Sequence, residues 1–419
     1  LKVRPKSSVS TRSAQTSAFM PCRSDPQPPP ESAAAAPAAE CPSAYGATVE
    51  LIGGSHPGID KWLGGELAAD GCIYGVPGSA KCVLKVDPRT DEVTRLGDLR
   101  GLSAIRGGKF KWLRGALDPE TGDTFGVPSN GNQVLRIDRA GGIDLLGDPD
   151  ALQGHWKWHG GVRAANGSLY CCPCNADRVL KIAPASGEVS LVGGPWPGKQ
   201  KWYGSLLGKD GCMYNVPNCA SAVLKFDPAS ETGTLLGNLP GGGWKWHGAA
   251  VGGDGHIYGV PAHARRVLKI VVGSDEVREI GMLLPDTKYK WGGACTAANG
   301  DVVCFPSDTG RTLHICCAPG VPEDEQVSLI GPSYPGGNKW QNGFLGRDGA
   351  IYGLPCNAPA VLRISPSFEV TTLRLSGGDS CGAAPEKWEG GVIAPSGVIY
   401  AMPQQADRVL RIDPGARAA

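Results

Sequence analysis

Long apolar runs are missing from this chain, and so is a secretory h-region. No stretch reaches the roughly 20 consecutive apolar residues that a membrane-spanning helix needs. An excess of charge of one sign is missing too: 41 Lys and Arg stand against 40 Asp and Glu, a formal net charge of +1. That balance gives no general argument for nucleic acid or another polyanion as a partner. Histidine is scarce at 7 residues, none of them in an H-E-x-x-H or similar cluster. There is no G-x-S-x-G elbow, no P-loop and no paired-carboxylate signature. These absences argue against the common enzyme classes, and neither a cofactor nor a metal is expected.

Cysteine is plentiful at 15, but the count is odd and the residues do not recur at one repeat position. A secreted disulfide scaffold is shorter and more regularly paired. Most of these residues read as reduced, buried thiols of an intracellular, cytoplasmic protein. Cys171-Cys172-Pro173-Cys174 contains a C-x-x-C spacing, yet it starts in a strand and has no second ligand pair at zinc-finger spacing. Cys316-Cys317 is the other adjacent pair.

What the chain does have is turns and a repeat. With 62 Gly and 35 Pro in 419 residues it reads as turn-dense and all-β. Lys-Trp recurs eight times, at Lys61-Trp62, Lys111-Trp112, Lys157-Trp158, Lys201-Trp202, Lys245-Trp246, Lys290-Trp291, Lys339-Trp340 and Lys387-Trp388. Successive copies lie 44 to 50 residues apart, the period of a four-stranded propeller blade. Within a unit, the first strand begins at Lys-Trp and carries small residues such as Gly160-Gly161. It ends in an Asx-Gly turn such as Asp70-Gly71 or Asn166-Gly167, where a two-residue hairpin places both central residues at positive φ. The second strand closes on a Pro in every unit, from Pro77 to Pro403. The third follows the pattern of Val83-Leu84-Lys85-Val86-Asp87, and the fourth is shorter.

Strand counting predicts how the ring closes. The last unit stops after its third strand, near Asp413, and an unassigned fourth-type strand, Thr48 to Ile52, precedes the first Lys-Trp. The expected fold is an eight-bladed β-propeller of four-stranded antiparallel blades over residues 45–415, with the N-terminal strand completing the last blade. Residues 1–44 are Ser-, Pro- and Ala-rich, a composition that cannot bury enough surface to offset ordering entropy. Their five basic residues all precede the first acid, Asp25, so two readings stand: a disordered tail or linker, or a transit peptide of a plastid or mitochondrion.

Lys-Trp opens the inner strand and therefore lies near one rim of the channel. The repeated Trp reads as a wedge between blades. Lys61, Lys111, Lys157, Lys201, Lys245, Lys290, Lys339 and Lys387 form a ring whose fields add at one mouth. The ring suits an anionic group or an acidic partner segment. The alternative is ammonium groups stacked on Trp or paired with carboxylates. The residue before Lys breaks the symmetry: it is aromatic at Phe110, Trp156, Trp244 and Tyr289, and polar at Asp60, Gln200, Asn338 and Glu386. His159 and His247 follow Trp in the two blades that read Trp-Lys-Trp-His. A second cationic set, including Lys85, Arg136 and Arg411, belongs to a half-exposed strand face. Long Gly-rich insertions at 100–110 and 376–386 mark the same rim.

The units K-W-x-G-G, D/N-G, I-Y-G-V-P and V-L-K-I-D-P resemble the repeats of propeller-type proteins of microbial eukaryotes and bacteria. The resemblance covers about Thr48 to Pro414 and implies the fold; it carries no assigned activity. The G-H and W-D signature of WD40 repeats is absent from its usual place. Eight blades and an adjacent cysteine pair also suggest the pyrroloquinoline-quinone dehydrogenases, but their late-blade Trp motif is not found. The functional expectation is a non-enzymatic scaffold that binds a partner protein through the Lys-Trp rim. A small-molecule, glycan or anion-binding module is the alternative, and a quinone or metal enzyme with its site at the channel mouth is the third reading.

Overall fold

A computed structural model describes residues 46–101, 108–382 and 384–415 of the chain. The low-complexity leader and part of the insertion after Arg100 lie outside the described residues. Among those described, eight separate four-stranded antiparallel sheets form the ring, as the repeat predicts. In blade 1 the strands are Trp62–Leu67, Ile73–Pro77, Val83–Asp87 and Glu92–Leu96, running from the axis outward. Blade 8 takes Trp388–Ile393, Ile399–Pro403 and Val409–Asp413 from the C-terminal end and Thr48–Ile52 from the N-terminal end. The register there is Val49 opposite Ile412 and Leu51 opposite Leu410. Among the described residues no helix is long and apolar enough to cross a membrane.

The Trp wedge works by filling one blade-to-blade seam and satisfying its own donor. Trp62 packs with Ile73 and Leu84 of its own blade and with Tyr400, Met402 and Val409 of blade 8. Its indole Nε1 donates to the Cys82 carbonyl at 2.9 Å, and the other seven Trp repeat that bond 20 or 21 residues ahead. A buried indole therefore carries no unmet polar group. The small residues after it are needed for approach: a Cβ on Gly390 would lie 2.2 Å from the Leu63 carbonyl oxygen.

The Asx-Gly turns depart from the predicted form. Only the Gly is left-handed, as in Gly71 at φ +80°. Gly71 N–H bonds the Ala68 carbonyl at 3.0 Å, and Ala68 N–H bonds the Cys72 carbonyl at 2.8 Å. This is the longer hairpin loop in which a type I turn leads into a left-handed Gly. The Asp is chosen for its side chain: Asp70 accepts from Cys72 N–H and from the Tyr74 hydroxyl, each at 2.9 Å. Asp210, Asp254 and Asp348 treat Tyr214, Tyr258 and Tyr352 alike. The third-strand cations pair on this same face, Lys85 with Asp70, Arg136 with Asp123 and Arg411 with Glu50, Asp91 and Asp413.

Thirteen cysteines lie among the described residues, and all are free thiols. Cys171, Cys172 and Cys174 are buried, and desolvation pushes the Cys171 and Cys174 thiols up to about 12. No group of three or more His, Cys, Asp or Glu able to hold a metal occurs among the described residues.

Candidate binding rim and channel

Each inner strand is entered through a left-handed residue. Asp60, Phe110, Trp156, Gln200, Trp244, Tyr289, Asn338 and Glu386 all have φ between 49° and 54°. Hydrogen bonds on both sides fix this backbone. Trp156 accepts from Asn175 N–H of its own blade at 3.0 Å, and its own N–H donates to the Asn130 side chain of the blade before at 2.8 Å. Gln200, Asn338 and Glu386 repeat the second bond with Asn175, Asp308 and Asn357. The conformation thus belongs to the seam between blades, while the side chain is left to vary.

The Lys that follows is buried in all eight blades, between 0% and 7% exposed. Its ammonium group turns into a cradle of backbone carbonyls. Lys157 Nζ donates to Ser129 and Gly131 of the preceding blade and to Gly154, at 2.8, 2.6 and 3.1 Å. Lys201, Lys245 and Lys339 make the corresponding three bonds. Lys111 reaches Gly78 and Ala80, Lys61 reaches Gly58 and Gln404, Lys387 reaches Cys356 and Ala384, and Lys290 reaches Thr287. Nζ of Lys111, Lys157, Lys201 and Lys245 also sits 5.6 to 5.8 Å from the ring centre of its own Trp. An ammonium has three N–H bonds, so an anion reaching Lys157, Lys201, Lys245 or Lys339, each with three carbonyl partners, must displace one of them. Burial pushes their pKa down, to about 8 for Lys61, Lys111, Lys157, Lys290 and Lys339. The carbonyl oxygens act in the opposite sense by favouring the charged form.

After Trp the strand bulges. In blade 3, Trp158 lies opposite Pro173 and Gly161 opposite Cys171, one extra residue on the inner strand, and the other blades repeat the irregularity. A bulge takes a residue out of the ladder and re-aims its side chain. The residues that follow Trp at this irregularity are Leu63, Leu113, His159, Tyr203, His247, Gly292, Gln341 and Glu389; in blade 7 Gln341 stays opposite Leu354 and Asn342 is the extra residue. Tyr203 stacks between His159 and His247, with ring centres 3.5 and 4.0 Å away. Leu63, Leu113 and Tyr203 also join Phe110 and Cys174 in one apolar cluster drawn from four blades, with Trp156 against it.

The next column is mostly Gly, and Arg114 and Asn342 interrupt it. Arg114 is buried, and its side chain runs past Gly64, whose Cβ would meet Arg114 Cδ at 3.6 Å. Its charge acts on Glu66, Tyr203 and Glu389, and on both histidines. Burial pushes Glu66 up to about 8 and Glu389 well above the carboxylate range, and it holds His159 and His247 neutral. Perturbed groups converging on one concave place are a mark of functional sites.

Of the residues singled out in the sequence, Phe110 meets Trp156 at 5.1 Å and Trp244 meets Tyr289 at 6.0 Å. The two pairs are separate, on either side of blade 4, where Gln200 accepts from Trp244 Nε1 at 2.9 Å. Trp244 and Tyr289 also contact His263, and Trp244 lies parallel to His247. Phe110 is largely buried, whereas Trp156, Trp244 and Tyr289 are half-buried. Sequence reasoning missed Arg114, Tyr203, Glu389, Glu66 and His263. Aligning the units on Trp and reading down the two columns that follow it would have found the first three.

The geometry defines the class as an eight-bladed propeller with an aromatic rim and a polar axis. No family model and no curated protein matches the sequence. Solved structures resemble it in fold. A streptogramin B lyase has a TM-score of 0.56 at 15% identity, covering 88% of this chain and 97% of its own. A catalytically inactive histidine-to-alanine variant of virginiamycin B lyase from Staphylococcus aureus, with quinupristin, has a TM-score of 0.55 at 13% identity over 88% and 99%. Kuenenia stuttgartiensis hydrazine synthase has a TM-score of 0.50 at 13% identity over 86% and 96%. At these identities the likeness is one of fold.

Proposed function

We propose that this propeller is a non-enzymatic recognition module that engages a partner protein through the rim of left-handed residues. One observation carries the reading: none of the eight positions is Gly, in a chain with 62 glycines. A non-glycine residue there costs roughly 1–2 kcal/mol. A side chain kept against that cost serves something other than the turn. Half-buried Trp156, Trp244 and Tyr289 are of the kind that anchors protein interfaces, and Gln200, Asn338 and Glu386 give them polar neighbours. In this reading the eight Lys hold the rim in place and the aromatic side chains meet the partner.

The test is a pull-down from native extract with the wild-type chain and with Trp156→Gly, Trp244→Gly and Tyr289→Gly combined. The combined variant is expected to fold and to lose its partner; recovery of the same partner at the same yield would refute the reading. A glycan or small molecule stacked on the same rings is the second reading. It is favoured by the neighbouring half-buried rings of Trp244 and Tyr289, whose centres lie 6.0 Å apart.

A further inference from the structure

Partner binding at the rim would leave the polar groups inside the channel unused, and several have no structural work to do. Tyr203 Oη and both ring nitrogens of His247 are buried with no hydrogen-bond partner among the described residues. The two side chains are 4% and 0% exposed. Buried polar atoms are nearly always hydrogen-bonded, so three such atoms on two stacked rings point to a ligand.

There is room beside them. At Gly160, in the bulge of blade 3, a Cβ would meet nothing within 4 Å. The same column is closed at Gly390, where a Cβ would lie 2.2 Å from Leu63 O, and at Gly293, where it would lie 2.6 Å from Asn342 Oδ1. Gly160, Gly161 and Ser205 are half-buried, although the Trp and the residue following it in blades 3 and 4 are buried. The channel is therefore open next to His159 and Tyr203.

The chemistry of the wall selects the ligand. Arg114 supplies a buried guanidinium, the one group of the wall that stays positively charged. The Tyr203 hydroxyl and one imidazole N–H of His247 are further donors. The carboxyl groups that face the same space, Glu66 and Glu389, are held towards their protonated form by burial, so they too can donate. A wall with one fixed positive charge and mostly donors matches an oxyanion. We infer that the channel beside blades 2 to 5 is a binding site for a small molecule bearing a carboxylate or phosphate group, held by Arg114, Tyr203 and His247. This site lies inside the channel, beneath the rim, and stands if the rim binds no protein.

Thermal unfolding of the full chain tests it, with inorganic phosphate, acetate and succinate titrated at constant ionic strength against chloride. Tm is expected to rise with the concentration of phosphate or of the carboxylates, as for one-site binding to the folded state. Arg114→Gln should abolish the rise. Tyr203→Phe, which keeps the ring and its stack, should weaken binding about tenfold through loss of one charge-assisted hydrogen bond. The phosphate and carboxylate series then distinguish the two sources of the oxyanion. The inference fails if none of the three anions shifts Tm. It also fails if Tyr203→Phe and Arg114→Gln respond as wild type does. Should Arg114→Gln not fold, an unaltered affinity in Tyr203→Phe is sufficient to overturn it.

Discussion

A Trp or Gln at φ near +50° is held by its surroundings, because an isolated L-residue avoids that region. At Trp244 this has a measurable signature that is independent of any partner. Trp244→Gly is expected to be more stable than Trp244→Ala by about 1 kcal/mol, since both remove the ring but only Gly relieves the backbone. Urea denaturation of the two variants checks it; Ala equal to or above Gly would contradict the left-handed assignment. The Lys clamp makes a different forecast. Lys157→Met removes three donors and leaves buried carbonyls unmet, a loss of about 3 kcal/mol or more by the same measurement. The symmetry-breaking residues were legible in the sequence because they interrupt a repeat. Their left-handed backbone was not, because it depends on hydrogen bonds from the neighbouring blade. The same holds for the lysines: the sequence offers Trp rings and carboxylates as partners, and the carbonyls that receive the ammonium groups become visible only when blades are set side by side.

The pH dependence also belongs to single residues. Glu66 has a folded pKa of about 8, raised mainly by desolvation from the ordinary 4.5, with Arg114 pulling the other way. Its contribution to stability is fully present below about pH 4.5 and is lost as pH rises through 8. Glu66→Gln should therefore lose less stability than wild type between pH 5 and pH 8, read as the difference in urea midpoint across that window. Identical slopes would show that this carboxyl does not sit in the channel as described.

At the scale of the element, the unit is a strand that begins at Trp, bulges, and ends in an Asx-Gly loop. Trp112 is fully buried between blades 1 and 2, with Tyr74, Val76 and Val83 on one side and Leu135 and Ile137 on the other. Trp112→Ala should cost about 3–5 kcal/mol, the range for a large aromatic side chain truncated in a core. A cost below 1 kcal/mol, from the shift in denaturation midpoint, would mean that the wedge is not seated. Strand order and turn positions were readable from the alternation and from Asx-Gly. The loop type was not, because Asp70 is selected by the Tyr74 hydroxyl four residues on and not by the φ of the turn. The bulge was equally hidden: it is a property of pairing, seen only when Trp158 is set against Pro173 and Gly161 against Cys171. That offset is what presents Tyr203 and the two histidines to the channel.

At the scale of the whole molecule, everything depends on the ring being closed by the N-terminal strand, since closure gives all eight rim residues one face. The closure was legible by counting, because one unit lacked a fourth strand and one strand lacked a unit. Val49 is 1% exposed and lies in the same core cluster as Trp388 and Leu410, so the latch is packed as well as hydrogen-bonded. Native-state hydrogen–deuterium exchange tests it most directly. Residues 48–52 are expected to be protected to the same degree as 409–413 and to exchange together with them, as one cooperative sheet. Exchange of 48–52 at the rate of an open loop, while 409–413 stays protected, would contradict the closed ring and the single face proposed for binding.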